Sequence, residues 1–304
     1  MKRNFVNIED FSGEEILQLL ELAKKLKANR KLHSQALEGK TFALLFTKPS
    51  NRTRVSFEVG IHQLGGNCIY LSPREIQLGE RESVSDVAGT LSRFVDGIVA
   101  RTDTHKDVED LARFSSVPVI NGLSDEQHPC QALADLFSIK EKLGKLKGIT
   151  LAFVGDGNNV CHSLMLGSAL VGLQMRIATP KAYAPDPSIL KKCQQLGQRS
   201  GAEIAWMESP AEAVKDAHVI YADTFVSMGQ EAEMKKRLKD FKKFQINSGL
   251  AKLADKNFIF MHCLPAHRGQ EVTEKIIDGK HSIIFDQAEN RLHVQKAILI
   301  RLMQ

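Results

Sequence analysis

Seven consecutive residues, Lys48-Pro49-Ser50-Asn51-Arg52-Thr53-Arg54, place two hydroxyls and two guanidinium groups between an apolar run and a helix-like segment. Backbone N–H groups at a helix start, hydroxyls and guanidinium forks together make an anion site of the kind that takes phosphate. The plainer alternative is a capped helix with solvated arginines, but two hydroxyls and two arginines at one helix start exceed what capping needs. The GxxxxGK spacing of a Walker A loop is missing. Arg101 follows the apolar stretch Gly97–Ala100, so its side chain should emerge at the same sheet edge. Further on, Asp125-Glu126-Gln127-His128-Pro129-Cys130-Gln131 follows Val117–Ile120 and an expected Asn121-Gly122 turn. His128 can donate to a carbonyl oxygen, and Pro129 suits a first helical position. A lone histidine there is more often a cap, and only the company of the arginines gives it weight.

The second half carries different chemistry. Gly155-Asp156-Gly157-Asn158-Asn159-Val160 follows a buried apolar run and resembles half a dinucleotide fingerprint. Val160 stands where the third glycine belongs, and Ala178-Thr179-Pro180-Lys181 lacks the acid that would bind a ribose, which counts against a nicotinamide dehydrogenase. Asp223-Thr224-Phe225-Val226-Ser227-Met228-Gly229 and His262-Cys263-Leu264-Pro265-Ala266-His267-Arg268-Gly269 bring an acid, hydroxyls and a thiol, which could bind a polar amine and tune its proton. A buried inert thiol is the plain alternative for Cys263. Zinc is the rival for His262, Cys263 and His267, although no CxxC or HxxxH pair with a further ligand in register is evident.

The elements that must position these loops can be read from periodicity. Ser12 with Glu15 forms a capping box, and Ile16, Leu19, Leu20, Ala23 and Leu26 repeat at helical spacing. Short apolar runs at Thr41–Phe46, Cys68–Leu71, Gly97–Ala100 and Val117–Ile120 then alternate with helix-like segments at 52–64, 83–94 and 105–115, so a mainly parallel sheet is expected. A helix from about Pro129 to Leu143 ends in a Gly/Lys stretch before the buried-strand signal Ile149–Val154, and the domain boundary is placed there. A second series has strands near 174–178, 203–207, 218–222, 258–261 and 282–285, then a last helix of about 286–302. The fold class is α/β, with two tandem domains, each a mainly parallel sheet flanked by helices. Residues 1–143 make the first domain and 144–285 the second, the C-terminal helix, about 286–304, being expected to pack back toward the first. In open parallel sheets the loops after strand C-termini hold ligands, and those are the loops singled out above.

At 304 residues the chain is long enough for two domains, and its 43% hydrophobic and 25% charged residues exclude disorder and fibrous classes. Mean hydropathy is −0.20. A formal net charge of +5 is a mild bias toward anionic partners. One Trp and three Tyr leave few stacking platforms for nucleic acid, and the basic stretch Lys235–Lys243, flanked and interrupted by Glu231, Glu233 and Asp240, reads as a solvated helix face. Five cysteines, odd in number and widely spaced, suggest neither a disulfide frame nor a zinc ribbon and favour a reducing cytoplasm. Acids precede any apolar stretch at the N-terminus, so no signal peptide is expected. The longest uncharged run, Gly157–Met175, holds too many polar residues and glycines for a membrane span.

Taken together, Ser50–Arg54 (SNRTR), His128–Gln131 (HPCQ), Asp223–Gly229 (DTFVSMG), His262–Pro265 (HCLP) and the tail motif Glu289-Asn290-Arg291 resemble the aspartate/ornithine carbamoyltransferase family over essentially the full length. Within it, SMG and HCLP are similar to the ornithine branch. The resemblance implies an active site in the cleft between the domains and transfer of a carbamoyl group from carbamoyl phosphate to the δ-amine of L-ornithine, giving citrulline and phosphate, with no cofactor and no metal. It implies that Ser50, Asn51, Arg52 and Thr53 surround the phosphate, and that Arg101, His128 and Gln131 hold the carbamoyl end. Gln77 would reach a neighbouring subunit's site in a homotrimer. Asn159, Asp223, Ser227 and Met228 match ornithine-binding positions, while Cys263, the Leu264 backbone and Arg291 match those that complete the carbamoyl phosphate site. Arg101, His128, Cys263 and Asp223 are the residues implied in catalysis, with Asp223 and Cys263 orienting the amine and accepting its proton. Two positions depart from the common pattern, Asn51 where Thr is more frequent and Thr47 where an acid is. Neither nucleic acid nor membrane is implied as a partner. A carbamoyltransferase acting on putrescine or N-acetylornithine, and a non-catalytic binding module on the same scaffold, are the alternatives.

Overall fold

In the computed structural model, which describes residues 2–227 and 229–304, Ser12 opens helix α1 (Gly13–Ala28) by the expected reciprocal capping. Its hydroxyl accepts from the Glu15 amide at 3.2 Å, and the Glu15 carboxylate accepts from the Ser12 amide at 3.0 Å. The five apolar residues at helical spacing are all buried. There follow β1 (Thr41–Phe46), α2 (Asn51–Gln63), β2 (Asn67–Leu71), α3 (Pro73–Ile76), α4 (Val84–Phe94), β3 (Gly97–Arg101), α5 (His105–Phe114), β4 (Val119–Leu123) and α6 (Pro129–Leu143). The second half continues with β5 (Thr150–Val154), α7 (Asn159–Val171), β6 (Gln174–Ala178), α8 (Pro187–Ser200), β7 (Ile204–Met207), α9 (Pro210–Val214) and β8 (Val219–Ala222). It ends with α10 (Met234–Asp240), α11 (Ser248–Ala251), β9 (Ile259–His262), α12 (Glu274–Ile277) and α13 (Ile284–Met303).

The chain divides into two compact units, Met1–Phe137 with Glu289–Gln304, and Ser138–Ala288. The first holds a four-stranded parallel sheet ordered β2-β1-β3-β4, and the second a five-stranded parallel sheet ordered β7-β6-β5-β8-β9. Buried aliphatic side chains of β1, β3 and β4 pack against Val87 and Ala88 of α4 and Val108 and Leu111 of α5 in the first core. The second core joins β5 and β8 to α9 and to a group of phenylalanines, Phe225, Phe241, Phe244, Phe258 and Phe260. The C-terminal half of α13 belongs to the first unit, where Gly60 on α2 lets it approach closely. A Cβ at Gly60 would lie 3.3 Å from the Lys296 side chain.

Strand order fixes where ligands can sit. In the first sheet the chain steps outward from β1 to β2, then returns to the other side with β3, so the order reverses between β1 and β3, where Phe46 is in register with Arg101. The second sheet reverses between β5 and β8, with Val154 opposite Ala222. Crevices at such reversals, at the strand C-termini, are the binding positions of open α/β sheets.

Two expectations are corrected. No strand forms at 282–285. Ser282 makes an isolated bridge to Phe260, and α13 begins at Ile284, because a short apolar run cannot be told from the first turn of a buried helix by periodicity alone. Asn121-Gly122 is not a turn but the middle of β4. The N-terminal segment pairs with it: the Asn121 amide donates to the Phe5 carbonyl at 2.8 Å, and its side chain donates to the Val6 carbonyl at 2.9 Å. A tertiary partner thus overrides the local turn preference. Replacing Asn121 by Ala leaves the buried Val6 carbonyl without that donor, and we expect a loss of about 1–3 kcal/mol in urea unfolding. Faster amide exchange at Phe5–Ile8 should accompany it.

Candidate functional site

In the first unit, β1 ends at Phe46 and the chain enters α2 through Ser50, whose hydroxyl caps the helix by accepting from the Thr53 amide at 3.3 Å. Asn51 and Arg52 fill the first turn of this 13-residue helix, where unpaired N–H groups favour an anion. Across the sheet reversal, the Thr47 amide donates to the Arg101 carbonyl at 2.9 Å, joining the loop after β1 to the end of β3. Arg101 is buried, and among the described residues its Nε has no hydrogen-bond partner. Burial, then the charges of Arg291 and Arg52, push this guanidinium down to about 10, against a smaller opposing effect of Asp103. It remains a cation at neutral pH.

Arg291 enters from α13 and is buried, donating to Gln131 Oε1 at 2.7 Å and to the Thr53 hydroxyl at 2.9 Å. Gln131 in turn donates to the buried Asp135 carboxylate at 2.8 Å, which fixes its amide orientation. His128 is buried at the start of α6, and burial followed by the charges of Arg291, Arg101 and Arg52 holds it well below the usual imidazole range. The structure therefore brings together Ser50, Arg52, Thr53, Arg101, His128, Gln131 and Arg291 around three guanidinium groups, with Asn51 exposed at the helix start. Arg54, the second arginine of the motif, is turned elsewhere: it pairs with Glu58 at 2.9 Å and lies 3.7 Å above the Tyr70 ring. Gln77 also stands apart, exposed and left-handed (φ 39°) at the C-cap of α3.

In the second unit, Asp223 follows β8 and is buried, and its carboxylate is the centre of a small network. One oxygen accepts from the Cys263 thiol at 3.0 Å and the Thr224 amide at 2.8 Å, and the other from the Asn158 side chain at 2.7 Å. Asn158 is the N-cap of α7, bonded also to the Val160 and Cys161 amides. Asn158, absent from the expected site residues, is the one bonded to Asp223, whereas the side chain of its neighbour Asn159 accepts from the Val160 amide at 2.9 Å. The signal was present, since Asn before an apolar helical run is a cap. Gly157, the second glycine of the partial fingerprint, has a packing reason: a Cβ there would lie 2.4 Å from the Pro185 backbone nitrogen.

Cys263 and Leu264 follow β9. Leu264 is left-handed (φ 60°), precedes a cis proline, and donates its amide to His262 Nδ1 at 2.9 Å. The ligand atoms of Asp223, His262 and Cys263 lie within 4.8 Å of one another, the spacing of a metal site. However, His262 Nδ1 accepts from Leu264, its Nε2 lies 3.3 Å from Glu271 Oε1, and the thiol is bonded to Asp223. His262 Nδ1 and the Cys263 thiol are thus committed to hydrogen bonds within the chain, while His262 Nε2 is buried without a hydrogen-bond partner among the described residues. Ser227 is not bonded to Asp223; its amide donates to Gln230 Oε1 at 3.0 Å. Met228 lies outside the described residues.

The lysines of Lys235–Lys243 are exposed, as a solvated face requires, and Arg237 is the exception. It is buried, ion-paired with Asp156, and donates to the Phe225 carbonyl at 2.7 Å. Asp156 is pushed up to about 6, mainly by burial, with Arg237 opposing and Asp223 adding to the rise.

Residues 147–302 match the family described as "Aspartate/ornithine carbamoyltransferase, Asp/Orn binding domain", and residues 3–141 match its "carbamoyl-P binding domain". The chain is 52% identical over 303 residues to an ornithine carbamoyltransferase of Thermococcus kodakarensis, covering 99% of this chain and 96% of that one. The solved ornithine carbamoyltransferase of Pyrococcus furiosus is 51% identical, with a TM-score of 0.95 over 98% of this chain and 96% of that one. The Thermus thermophilus structure is 46% identical, with a TM-score of 0.90 over the whole of both chains. Among the described residues, no helix is long and apolar enough to cross a membrane.

The depressed His128 has a consequence for stability. Below about pH 6.5 the unfolded chain takes up a proton here that the folded chain resists, so stability present above that pH is lost as pH falls, by at most about 1.4 kcal/mol per unit. Asp156 acts oppositely: its raised folded value stabilises at low pH, and that contribution is lost as pH rises from about 4 through about 6. Urea midpoints of His128→Asn should therefore fall less steeply than wild type between pH 6.5 and 5.

Proposed function

This chain belongs to the aspartate/ornithine carbamoyltransferase family, and from that premise we propose that it carries carbamoyl from carbamoyl phosphate to the δ-amine of L-ornithine, forming L-citrulline and phosphate. The observation that carries this reading is the gathering of buried Arg101 and Arg291 and partly buried Arg52 around a neutral, buried His128, at the reversal of the first sheet. A phosphate ester with a small carbonyl head satisfies both parts of that cluster.

In the proposed reaction, Ser50, Asn51, Arg52 and Thr53 hold the phosphate at the start of α2, and Arg101, His128 and Gln131 hold the carbamoyl end, with Arg291 bracing the cluster. The amine attacks the carbamoyl carbon, a tetrahedral intermediate forms, the bond to the phosphate oxygen breaks, and phosphate departs. Arg52 and Arg101 stabilise the charge on the leaving phosphate, while His128, Arg101 and Thr53 donate to the carbonyl oxygen as it becomes an oxyanion. A neutral His128 suits this role, because it donates without being an acid at the operating pH.

The amine must lose a proton first. An alkylammonium with a pKa near ~10.4 costs about 4–5 kcal/mol to neutralise at pH 7. Asp223, with Cys263 on the same oxygen, is assigned to orient the amine and accept that proton, and Asn159, Ser227 and Met228 to bind the amino-acid end. Cys263 and the Leu264 backbone are assigned to complete the carbamoyl phosphate contacts. The exposed, left-handed Gln77 is assigned to a neighbouring subunit's site in a homotrimer, and the five free cysteines suit the cytoplasm.

Citrulline formation from carbamoyl phosphate and L-ornithine, beside L-aspartate, putrescine and N-acetylornithine, tests the reading. Product with ornithine alone is expected, and preference for another amine would overturn the assignments in the second unit. Arg101→Gln should cut kcat by about 10²–10³-fold while leaving KM for ornithine little changed. Cys263→Ala should lower turnover and alter its pH dependence, and an unchanged profile would remove the thiol from the proton's path. Mixing inactive Gln77→Ala and Arg101→Gln subunits should restore activity if sites are shared, because hybrids then contain intact ones.

A further inference from the structure

We propose that the buried Asp156–Arg237 ion pair is a clamp that sets the position of the Asp223–Ser227 segment, and through it the affinity for the amine substrate. The inference rests on the reading of Asp223 as the amine's partner.

Arg237 lies on α10, 14 positions beyond Asp223, and is only 4% exposed. Its Nε donates to the Phe225 carbonyl at 2.7 Å, while Nη2 pairs with the Asp156 carboxylate. One planar fork thus ties the loop after β5 to the loop after β8. These loops also meet through backbone, since a Cβ at Gly155 would lie 3.4 Å from the Asp223 carbonyl oxygen. The guanidinium is boxed by rings, 4.6 Å from Tyr183 and 5.8 Å from Phe241. Phe225 stacks on Phe241 at 4.7 Å, and the Tyr183 hydroxyl donates to Asp240 at 2.9 Å, closing α10 onto the same segment.

The arrangement also manages charge. Asp156 and Asp223 are neighbouring buried carboxylates at the sheet reversal, and beyond the effect of burial the charge of Asp223 raises the cost of ionising Asp156. Arg237 neutralises Asp156 and leaves the charge on Asp223 available for a cationic amine. Removing Arg237 leaves the buried Asp156 without its cation, and removing Asp156 leaves Arg237 only the more distant, exposed Glu233 at 3.6 Å, so a residue without substrate contact can still govern how ornithine binds. Arg237 and Asp156 are positioning residues in this sense.

The test is a double-mutant cycle of Asp156→Asn, Arg237→Gln and the pair, on the full-length protein. KM for ornithine should rise about tenfold or more in each single variant, with KM for carbamoyl phosphate within twofold of wild type. The double variant should be little worse than the singles, because the two residues act as one unit. Arg237→Lys, which keeps the charge but not the fork, should recover only part of the affinity. Amide exchange at Thr224–Ser227, read without substrate, should quicken about tenfold in both singles. Unchanged exchange would overturn the clamp whatever the enzyme's activity. Quickened exchange with an unchanged ornithine KM, or equal losses toward both substrates, would overturn its role in amine binding. Wild-type protein inactive with ornithine would instead defeat the functional reading, leaving the exchange result to judge the clamp.

Discussion

Arg52, Arg101 and Arg291 repel one another, and much of the first unit is arranged to hold them in place against that repulsion. After burial, the charges of Arg291 and Arg52 both lower the Arg101 guanidinium, with Asp103 acting the other way. Each arginine is restrained by a different element: Arg52 by the first turn of α2, Arg101 by the end of β3, and Arg291 by α13. Thr53 and Gln131 hold Arg291 by two hydrogen bonds, and Asp135 holds Gln131. The nearest acids are partly removed from the problem, because Asp103 pairs with Lys48 at 2.6 Å and Asp135 acts at one remove through Gln131. The result is a concentration of positive charge that an anion relieves, around an imidazole that burial first, and then the same field, keeps neutral.

The second unit faces the opposite problem. Asp156 and Asp223 follow the two strands at its reversal, so two carboxylates are buried near each other. The remedy is unequal treatment. Asp156 receives a full guanidinium, whereas Asp223 receives only neutral donors, from Asn158, Cys263 and the Thr224 amide. Neutral donors orient a carboxylate without pairing it with a counter-charge, which suits the proposed role of Asp223 toward an ammonium group.

The strands and the chemistry-bearing loops were legible because both are local. Parallel strands buried on both faces read as apolar runs, and the loops after them stand out by composition. Arg101 and His128 could be assigned a shared sheet edge from the βα alternation alone. What failed to show was set by tertiary partners. Asn121-Gly122 reads as a turn until Phe5 and Val6 arrive beside it, and Arg237 reads as one more solvated cation in a basic helix until Asp156 and the Phe225 carbonyl claim it. Arg54 looked equivalent to Arg52, yet the first-turn geometry of α2 and the i,i+4 partner Glu58 divert it. The strand expected at 282–285 failed for a different reason, since three apolar residues after Ser282 carry no period by which to choose.

These misreadings share a cause that bears on function. A charged side chain that closes a buried pair has the same composition as one that solvates a surface, and only the burial of its partner distinguishes them. Motifs recovered the groups assigned to substrate because those cluster in sequence, at helix starts after strands. The groups that hold them, Asp135 behind Gln131, Asn158 beside Asp223 and Arg237 beneath Phe225, are mostly scattered along the chain or ordinary in type. Yet they decide which charges remain uncompensated. In the first unit that is a positive cluster awaiting an anion, and in the second a carboxylate awaiting a cation. The opposite signs match the two charged substrates of a single transfer, in which the phosphate must be held while the ammonium is made neutral.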